Sequence, residues 1–179
     1  MKIESYIKKY DNIIDIDLCN DIIKNSSKKE FNPAKISDGE IDTKIRNCLM
    51  KPLNDKFEDK IFKAVSKILQ QYSNEFEYFS LGLSPEDTGY THLLYESSEK
   101  GGYKKHVDHF DLYPRVLSCS FLLNDNYEGG NLSFFEKKDE VIFPNKAGSA
   151  IVFPSNFCFP HAVLPVTKGN RHAIITWIH

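Results

Sequence analysis

Glycine and proline are divided unevenly along this 179-residue chain, and that asymmetry constrains its fold more than any other feature. Residues 1–80 hold one of the nine glycines and two of the eight prolines, and residues 81–179 hold the remainder. Sparse turn formers mean helices, whereas turn formers at short intervals mean strands. In the first part Phe57, Ile61, Phe62, Val65, Ile68, Leu69 and Tyr72 share one helical face, with Asp55 and Glu58 placed as an N-terminal cap. A shorter helix is expected from Asp17 to Asn25, and residues 26–53 read as a polar connection without periodicity. The second part reads as eight strands, over 90–95, 103–110, 115–123, 131–135, 140–143, 150–153, 158–164 and 171–178. Breaks fall at Gly101-Gly102, Gly129-Gly130, Pro144-Asn145, Pro154-Ser155 and Lys168-Gly169. Eight short strands at this spacing predict a mainly β double-sheet jelly roll, with the N-terminal helices supporting one outer face. Residues 1–179 are expected to form one domain, with 1–80 as helical support and 81–179 as the β core.

Charge excludes one function class. The chain carries 23 Lys+Arg against 25 Asp+Glu, and neither half is basic, so nothing supports binding to a phosphate backbone and no nucleic-acid partner is expected. No apolar run approaches the 18 or so residues that a membrane-spanning helix needs, so no membrane partner is expected. The first residues lack the apolar stretch of a secretory signal, and the four cysteines (Cys19, Cys48, Cys119, Cys158) show no CxxC spacing. Reduced thiols in the cytoplasm are the expectation. Of the 23 basic residues 20 are lysine, which draws attention to the three arginines.

The chemistry-bearing stretch is Tyr103-Lys-Lys-His106-Val-Asp108-His109-Phe-Asp111. Residues two apart in a strand face the same way, so His106 and Asp108 would present an imidazole and a carboxylate side by side. His109 and Asp111 repeat the pattern on the opposite face, and taken alone the segment suits a polar strand edge as well as a metal site. A distal histidine, His161, precedes Arg171 by ten positions, at the start of an otherwise apolar strand. A guanidinium there calls for an anionic partner, which a salt bridge at the strand end would also supply. Two histidines and one carboxylate on one face of a metal make the ligand set of non-haem Fe(II) oxygenases.

In that order these residues resemble the Fe(II)/2-oxoglutarate dioxygenases. The similarity is to the prolyl 4-hydroxylase group, including its small bacterial and phage-type members and the oxygen-sensing prolyl hydroxylases. It extends through Arg115–Asn124, Glu128-Gly-Gly-Asn-Leu132-Ser-Phe, Gly148–Pro154, Pro160-His161-Ala-Val-Leu-Pro165-Val and Gly169-Asn-Arg171 to Trp177, covering about residues 90–179. The resemblance implies a double-stranded β-helix in which His106, Asp108 and His161 bind Fe(II). It implies that Arg171 holds the distal carboxylate of the cosubstrate 2-oxoglutarate, and that Tyr95, Ser118, Leu132 and Val163 line the cosubstrate pocket. O2 is the second cosubstrate and ascorbate an auxiliary reductant. His106/Asp108 is preferred over His109/Asp111 because Tyr103 precedes His106 by the family's three-residue spacing. Leu122 departs from several relatives, which place there a tyrosine that helps to bind the same carboxylate.

The implied activity is hydroxylation of a C–H bond with succinate and CO2 as coproducts, on a prolyl residue of a peptide or protein. Tyr95, Tyr103, Phe110 and Tyr113 are expected to edge the barrel mouth, where an extended proline-containing chain would dock. A free amino acid is the alternative substrate, and a cupin-like metal protein without 2-oxoglutarate the alternative class. Arg171 separates the two classes, because a simple cupin has no use for a buried guanidinium ten residues beyond its last ligand. Other residues take plainer readings: His92 as a core or surface histidine, His172 facing outward, Trp177 as core packing. Arg115 either contacts substrate or caps a strand, and Ser97–Gly102 is either a lid or an ordinary turn.

Overall fold

The computed structural model describes residues 1–179 apart from 37–38, 82, 85 and 110–113. In chain order its elements are β1 (Lys8–Tyr10), α1 (Ile16–Lys24), β2 (Asn32–Pro33), β3 (Arg46–Asn47), β4 (Leu49–Pro52) and α2 (Glu58–Glu75). They continue with β5 (Thr91–Glu96), β6 (Gly102–His106), β7 (Leu117–Leu122), β8 (Glu128–Gly129) and β9 (Leu132–Phe134). The last are β10 (Val141–Phe143), β11 (Ala150–Pro154), β12 (His161–Val163), β13 (Val166–Lys168) and β14 (Asn170–Ile178). The larger sheet runs β1-β11-β7-β14-β5-β4-β2, the smaller β10-β9-β12-β6-β3, and β8 pairs with β13 as a separate ribbon. Each of these pairings is antiparallel. This is the double-sheet jelly roll expected from the turn spacing and the double-stranded β-helix that the resemblance implies.

Two apolar layers hold it together. Outside the larger sheet, Ile61, Val65, Ile68 and Tyr72 of α2 pack with Leu117, Cys119 and Phe121 of β7 and Ile174 and Ile178 of β14. Burial of an aliphatic side chain of this size contributes about 1.5–3 kcal/mol. The Tyr72 hydroxyl donates to the Tyr6 carbonyl at 2.9 Å, so the ring is buried without stranding its polar end. Between the sheets lie Leu93, Tyr95, Leu122, Leu132, Phe134, Phe153, Val163, Ala173 and Ile175. β7 is buried at every position because it contributes to both layers. Along β14 the period of two sends Ala173 and Ile175 inward and Ile174 and Ile178 toward the helices.

Several expectations need correction. Residues 26–53 are more than a connection: β2, β3 and β4 lie within them, and β4 pairs with β5. These strands have two to four residues and exist through pairing, so they leave no periodic trace. Phe62 is 54% exposed, because the buried stripe of α2 follows Ile61, Val65, Ile68 and Tyr72 and passes beside it. Asp55 does not cap α2, whose N-cap position is Phe57 without a side-chain cap; Asn54 instead caps the 3-10 turn Asp55–Phe57 that leads into it, its side chain accepting from the Lys56 N–H at 3.2 Å. The Ser97–Gly102 segment is a tied-down turn: Gly101 donates to the Glu96 carbonyl at 2.8 Å and accepts from Val166 at 2.8 Å. A Cβ on Gly101 would stand 2.8 Å from the Glu96 nitrogen, so the close approach requires glycine. No helix among the described residues is long and apolar enough to cross a membrane.

Candidate metal centre and its cavity

The smaller sheet brings the two histidines together. β6 and β12 pair antiparallel with His106 opposite His161, which leaves the two rings with centroids 4.3 Å apart. Asp108 arrives differently from the expectation. β6 ends at His106, and Asp108 lies beyond it, outside strand geometry. Its carboxylate is fixed by side chains of the opposing sheet: Oδ2 accepts from Ser118 Oγ at 2.7 Å and from Trp177 Nε1 at 2.9 Å. Ser118 Oγ is also 2.8 Å from Ser155 Oγ.

Among the described residues His106, Asp108 and His161 form a group able to hold a metal, with ligating atoms within 4.8 Å of one another. Asp108 Oδ1 is 3.4 Å from His106 Nε2, and Oδ2 is 3.6 Å from His161 Nε2. Neighbouring ligands on an octahedral ion with bonds of about 2.1 Å stand about 3 Å apart, so the set is close to that spacing. Protonation suits the same purpose. His106 Nδ1 faces the Lys104 carbonyl at 2.8 Å, and His161 Nδ1 faces the Phe159 carbonyl at 3.1 Å. A carbonyl only accepts, so each Nδ1 carries the proton and each Nε2 of a neutral ring presents its lone pair inward. Burial pushes the His161 imidazole down to about 4. Burial alone would raise Asp108, but His161, His106 and Trp177 outweigh it and hold the carboxyl well below the ordinary carboxylate range. Two imidazole nitrogens and an ionised carboxylate fit a divalent first-row ion.

The centre opens into a cavity of about 340 Å³ that Arg171, Tyr95, Leu132 and Val163 also line. Arg171 is 1% exposed, with its guanidinium 5.0 Å from the centre of the Tyr95 ring. Its Nε and Nη2 are buried and have no hydrogen-bond partner among the described residues. An unpaired buried guanidinium is costly, and a ligand carboxylate in the cavity is the group that would complete it. The residues therefore fit a divalent ion and a dicarboxylate cosubstrate together.

Other sequence readings fare variously. Ser118 stands behind Asp108 and not on the cavity wall, because its hydroxyl is spent on the carboxylate. Tyr95 is 1% exposed and lies deep beside Arg171, not at the mouth, while Phe110 and Tyr113 fall outside the described residues. His109 is exposed, and its partner in the repeated motif, Asp111, also falls outside them. His92 is a core histidine, and His172, on the face away from Arg171, is packed against it with His92 Nε2 and His172 Nδ1 3.0 Å apart. Sequence reasoning missed two roles. Trp177 does more than fill space, since it donates to Asp108, and its place on the inward face of β14 was the available signal. Arg115 lies 3.7 Å from the centre of the Trp177 ring and donates to the Asp108 carbonyl at 3.2 Å, so all three arginines line the one cavity.

Comparison with known proteins places this geometry. Residues 91–179 match the model of the 2OG-Fe(II) oxygenase superfamily. A PKHD-type hydroxylase of Colwellia psychrerythraea is 36% identical over 93 residues, 48% of this chain and 41% of that protein. Another, of Thermosynechococcus vestitus, is 31% identical over 130 residues, 68% of this chain and 56% of that protein. The chain thus spans about half or less of these curated relatives. Among solved structures, a Pseudomonas putida prolyl-4-hydroxylase superposes with a TM-score of 0.77 at 22% identity, covering 97% of this chain and 92% of that one. A Trichoplax adhaerens prolyl hydroxylase in complex with a hypoxia inducible factor peptide fragment gives 0.78 at 19% identity, covering 97% and 83%. At these identities the likeness is one of fold.

Proposed function

Because residues 91–179 belong to the 2OG-Fe(II) oxygenase superfamily, we propose that the chain is an Fe(II)- and 2-oxoglutarate-dependent dioxygenase that hydroxylates a prolyl residue of a peptide or protein. One observation carries the cosubstrate assignment: a buried guanidinium, with Nε and Nη2 unpaired among the described residues, shares a cavity with a His-Asp-His ligand set.

In this reading His106 and His161, through Nε2, and Asp108 hold Fe(II). Arg171 holds the distal carboxylate of 2-oxoglutarate and so aims its keto-acid end at the ligand face. Ser118 and Trp177 engage one carboxylate oxygen of Asp108, which turns the other toward the ion. Leu132, Phe153, Val163 and Ile175 make an apolar wall that excludes water from the reacting atoms. When bound, the metal and cosubstrate supply the oxidising chemistry, in which O2 and 2-oxoglutarate yield succinate, CO2 and one oxygen atom for the substrate C–H bond. Ascorbate would serve as auxiliary reductant.

The prolyl assignment draws on the peptide seen in the Trichoplax adhaerens structure. A free amino acid is the second reading, favoured by the presence of Arg46 and Arg115 in the cavity besides Arg171, since a free carboxylate would suit either. The test is incubation with Fe(II), 2-oxoglutarate, ascorbate and either proline-containing peptides or free proline, read by mass spectrometry. The expected product is the peptide heavier by about one oxygen atom, 16 Da, on proline, with succinate in equal amount. Oxygen found only on the free amino acid overturns the peptide assignment, and no 2-oxoglutarate turnover with any substrate overturns the dioxygenase reading.

A further inference from the structure

The two histidine ligands are held by unlike means. His161 is walled in by aromatic rings, with Phe134 at 5.6 Å and Phe153 at 4.5 Å between ring centroids, and its side chain is 5% exposed. His106 is the last residue of β6, and its side chain is 18% exposed. Apart from His161, one ring lies against it among the described residues. That ring is Tyr103, stacked at a centroid distance of 3.5 Å and an interplanar angle of 20°.

A regular strand would not allow this contact, because residues three apart point to opposite faces. β6 escapes the rule through a bulge. His106 stands opposite His161 and Tyr103 opposite Val163, so three steps on β6 match two on β12. The extra residue turns Tyr103 onto the face of His106. The bulge is pinned at both of its middle residues: the Lys104 N–H donates to the Ile45 carbonyl at 2.8 Å, and the Lys105 ammonium donates to the Phe135 carbonyl. The tyrosine is held in turn by the neighbouring strand. Arg46 on β3 is in register with Tyr103, its guanidinium lies 4.9 Å from the centre of the Tyr103 ring, and its Nη1 donates to the Lys35 carbonyl at 2.8 Å. The Nδ1 contact with the Lys104 carbonyl fixes one point of the His106 ring and leaves it able to tilt about that point. A flat ring packed against its face removes the tilt.

We propose that Tyr103, placed by the β6 bulge, is a positioning residue that keeps His106 Nε2 turned toward the metal and slows loss of the ion. The inference rests on the metal-centre reading above. The ring carries the role and the hydroxyl does not, so phenylalanine should serve and an aliphatic residue should not.

The test is Mn(II) binding, titrated through the fluorescence of Trp177 beside Asp108, with release timed after addition of excess chelator. Tyr103→Leu should bind Mn(II) about three- to tenfold more weakly and release it faster by a similar factor, the size expected for one aromatic pair. Tyr103→Phe should stay within about twofold of wild type. In a His106→Ala background Tyr103→Leu should change nothing further, because the ring it positions is gone. A Tyr103→Leu protein that binds and releases Mn(II) like wild type overturns the proposal. So does a Tyr103→Phe protein as weak as Tyr103→Leu, which would move the role to the hydroxyl. Equal weakening with and without the His106 imidazole would mean general structural support and overturns it as well. If His106→Ala itself binds Mn(II) like wild type, the metal-centre reading fails, and this proposal fails with it. Should Tyr103→Leu unfold, Tyr103→Met carries the same comparison, and wild-type binding and release there overturn the proposal.

Discussion

Ser118→Ala isolates the support given to the metal ligand. Ser118 is 0% exposed and Asp108 8% exposed, so no solvent replaces the lost donor directly. A hydrogen bond to an ionised group contributes about 1.5–3 kcal/mol. Ser118 donates to Asp108, so Ser155 at 2.8 Å donates into the Ser118 oxygen and is also left without its acceptor, adding about 1 kcal/mol. The metal-free fold should lose about 3 kcal/mol in urea unfolding with an unchanged denaturant slope. Partners of this kind behind metal ligands are typically worth about 10- to 100-fold in affinity, and a loss of that size is expected for Mn(II). Trp177 is the sole tryptophan and donates to the same carboxylate, so its fluorescence reports the titration. Ser120→Ala, two residues along on the same strand, serves as control and should keep both properties. A folded Ser118→Ala protein with wild-type stability, or with Mn(II) affinity within about twofold of wild type, would refute this account of how Asp108 is held.

Three further outcomes follow from the same structure. Arg171→Ala should leave metal binding intact and raise the 2-oxoglutarate requirement by a factor equivalent to about 2–5 kcal/mol, read as KM for succinate formation, and an unchanged KM contradicts the assignment. Burial, joined by the neighbouring His172, holds His92 down to about 3, and burial, against the opposing pull of Glu96, holds His172 down to about 4, both below the ordinary 6.5. The stabilisation from keeping these rings neutral is complete above 6.5 and is lost as pH falls toward 4, so the urea midpoint should drop between pH 7.5 and 4.5, and less so in His92→Leu/His172→Leu. An equal drop in the double variant would show that other groups govern the acid limb. Ile61→Ala should cost about 2–5 kcal/mol in unfolding while Phe62→Ala stays within about 0.5 kcal/mol, and the reverse order would mean that the face of α2 is misassigned.

What could be read in the sequence was what repeats or what is locally dense. Eight of the ten described strands after residue 80 show through turn spacing, β8 and β13, two and three residues long, leaving no trace, and α2 shows through Ile61, Val65, Ile68 and Tyr72. His106, Asp108, His161 and Arg171 come together in one cavity as their order along the chain suggested. The strand argument for Asp108 was nevertheless wrong in detail, since β6 stops at His106 and a serine and a tryptophan from the other sheet complete the placement. Such support depends on which strands face each other, and local pattern does not encode it. β2, β3 and β4 were hidden for the same reason.

The most direct test is a crystal structure of the chain grown without oxygen in the presence of Fe(II) and 2-oxoglutarate. The account predicts one metal bound by His106 Nε2, a single oxygen of Asp108 and His161 Nε2, with the distal carboxylate of 2-oxoglutarate on Arg171. A metal bound by His109 and Asp111, or a cosubstrate carboxylate away from Arg171, would contradict it.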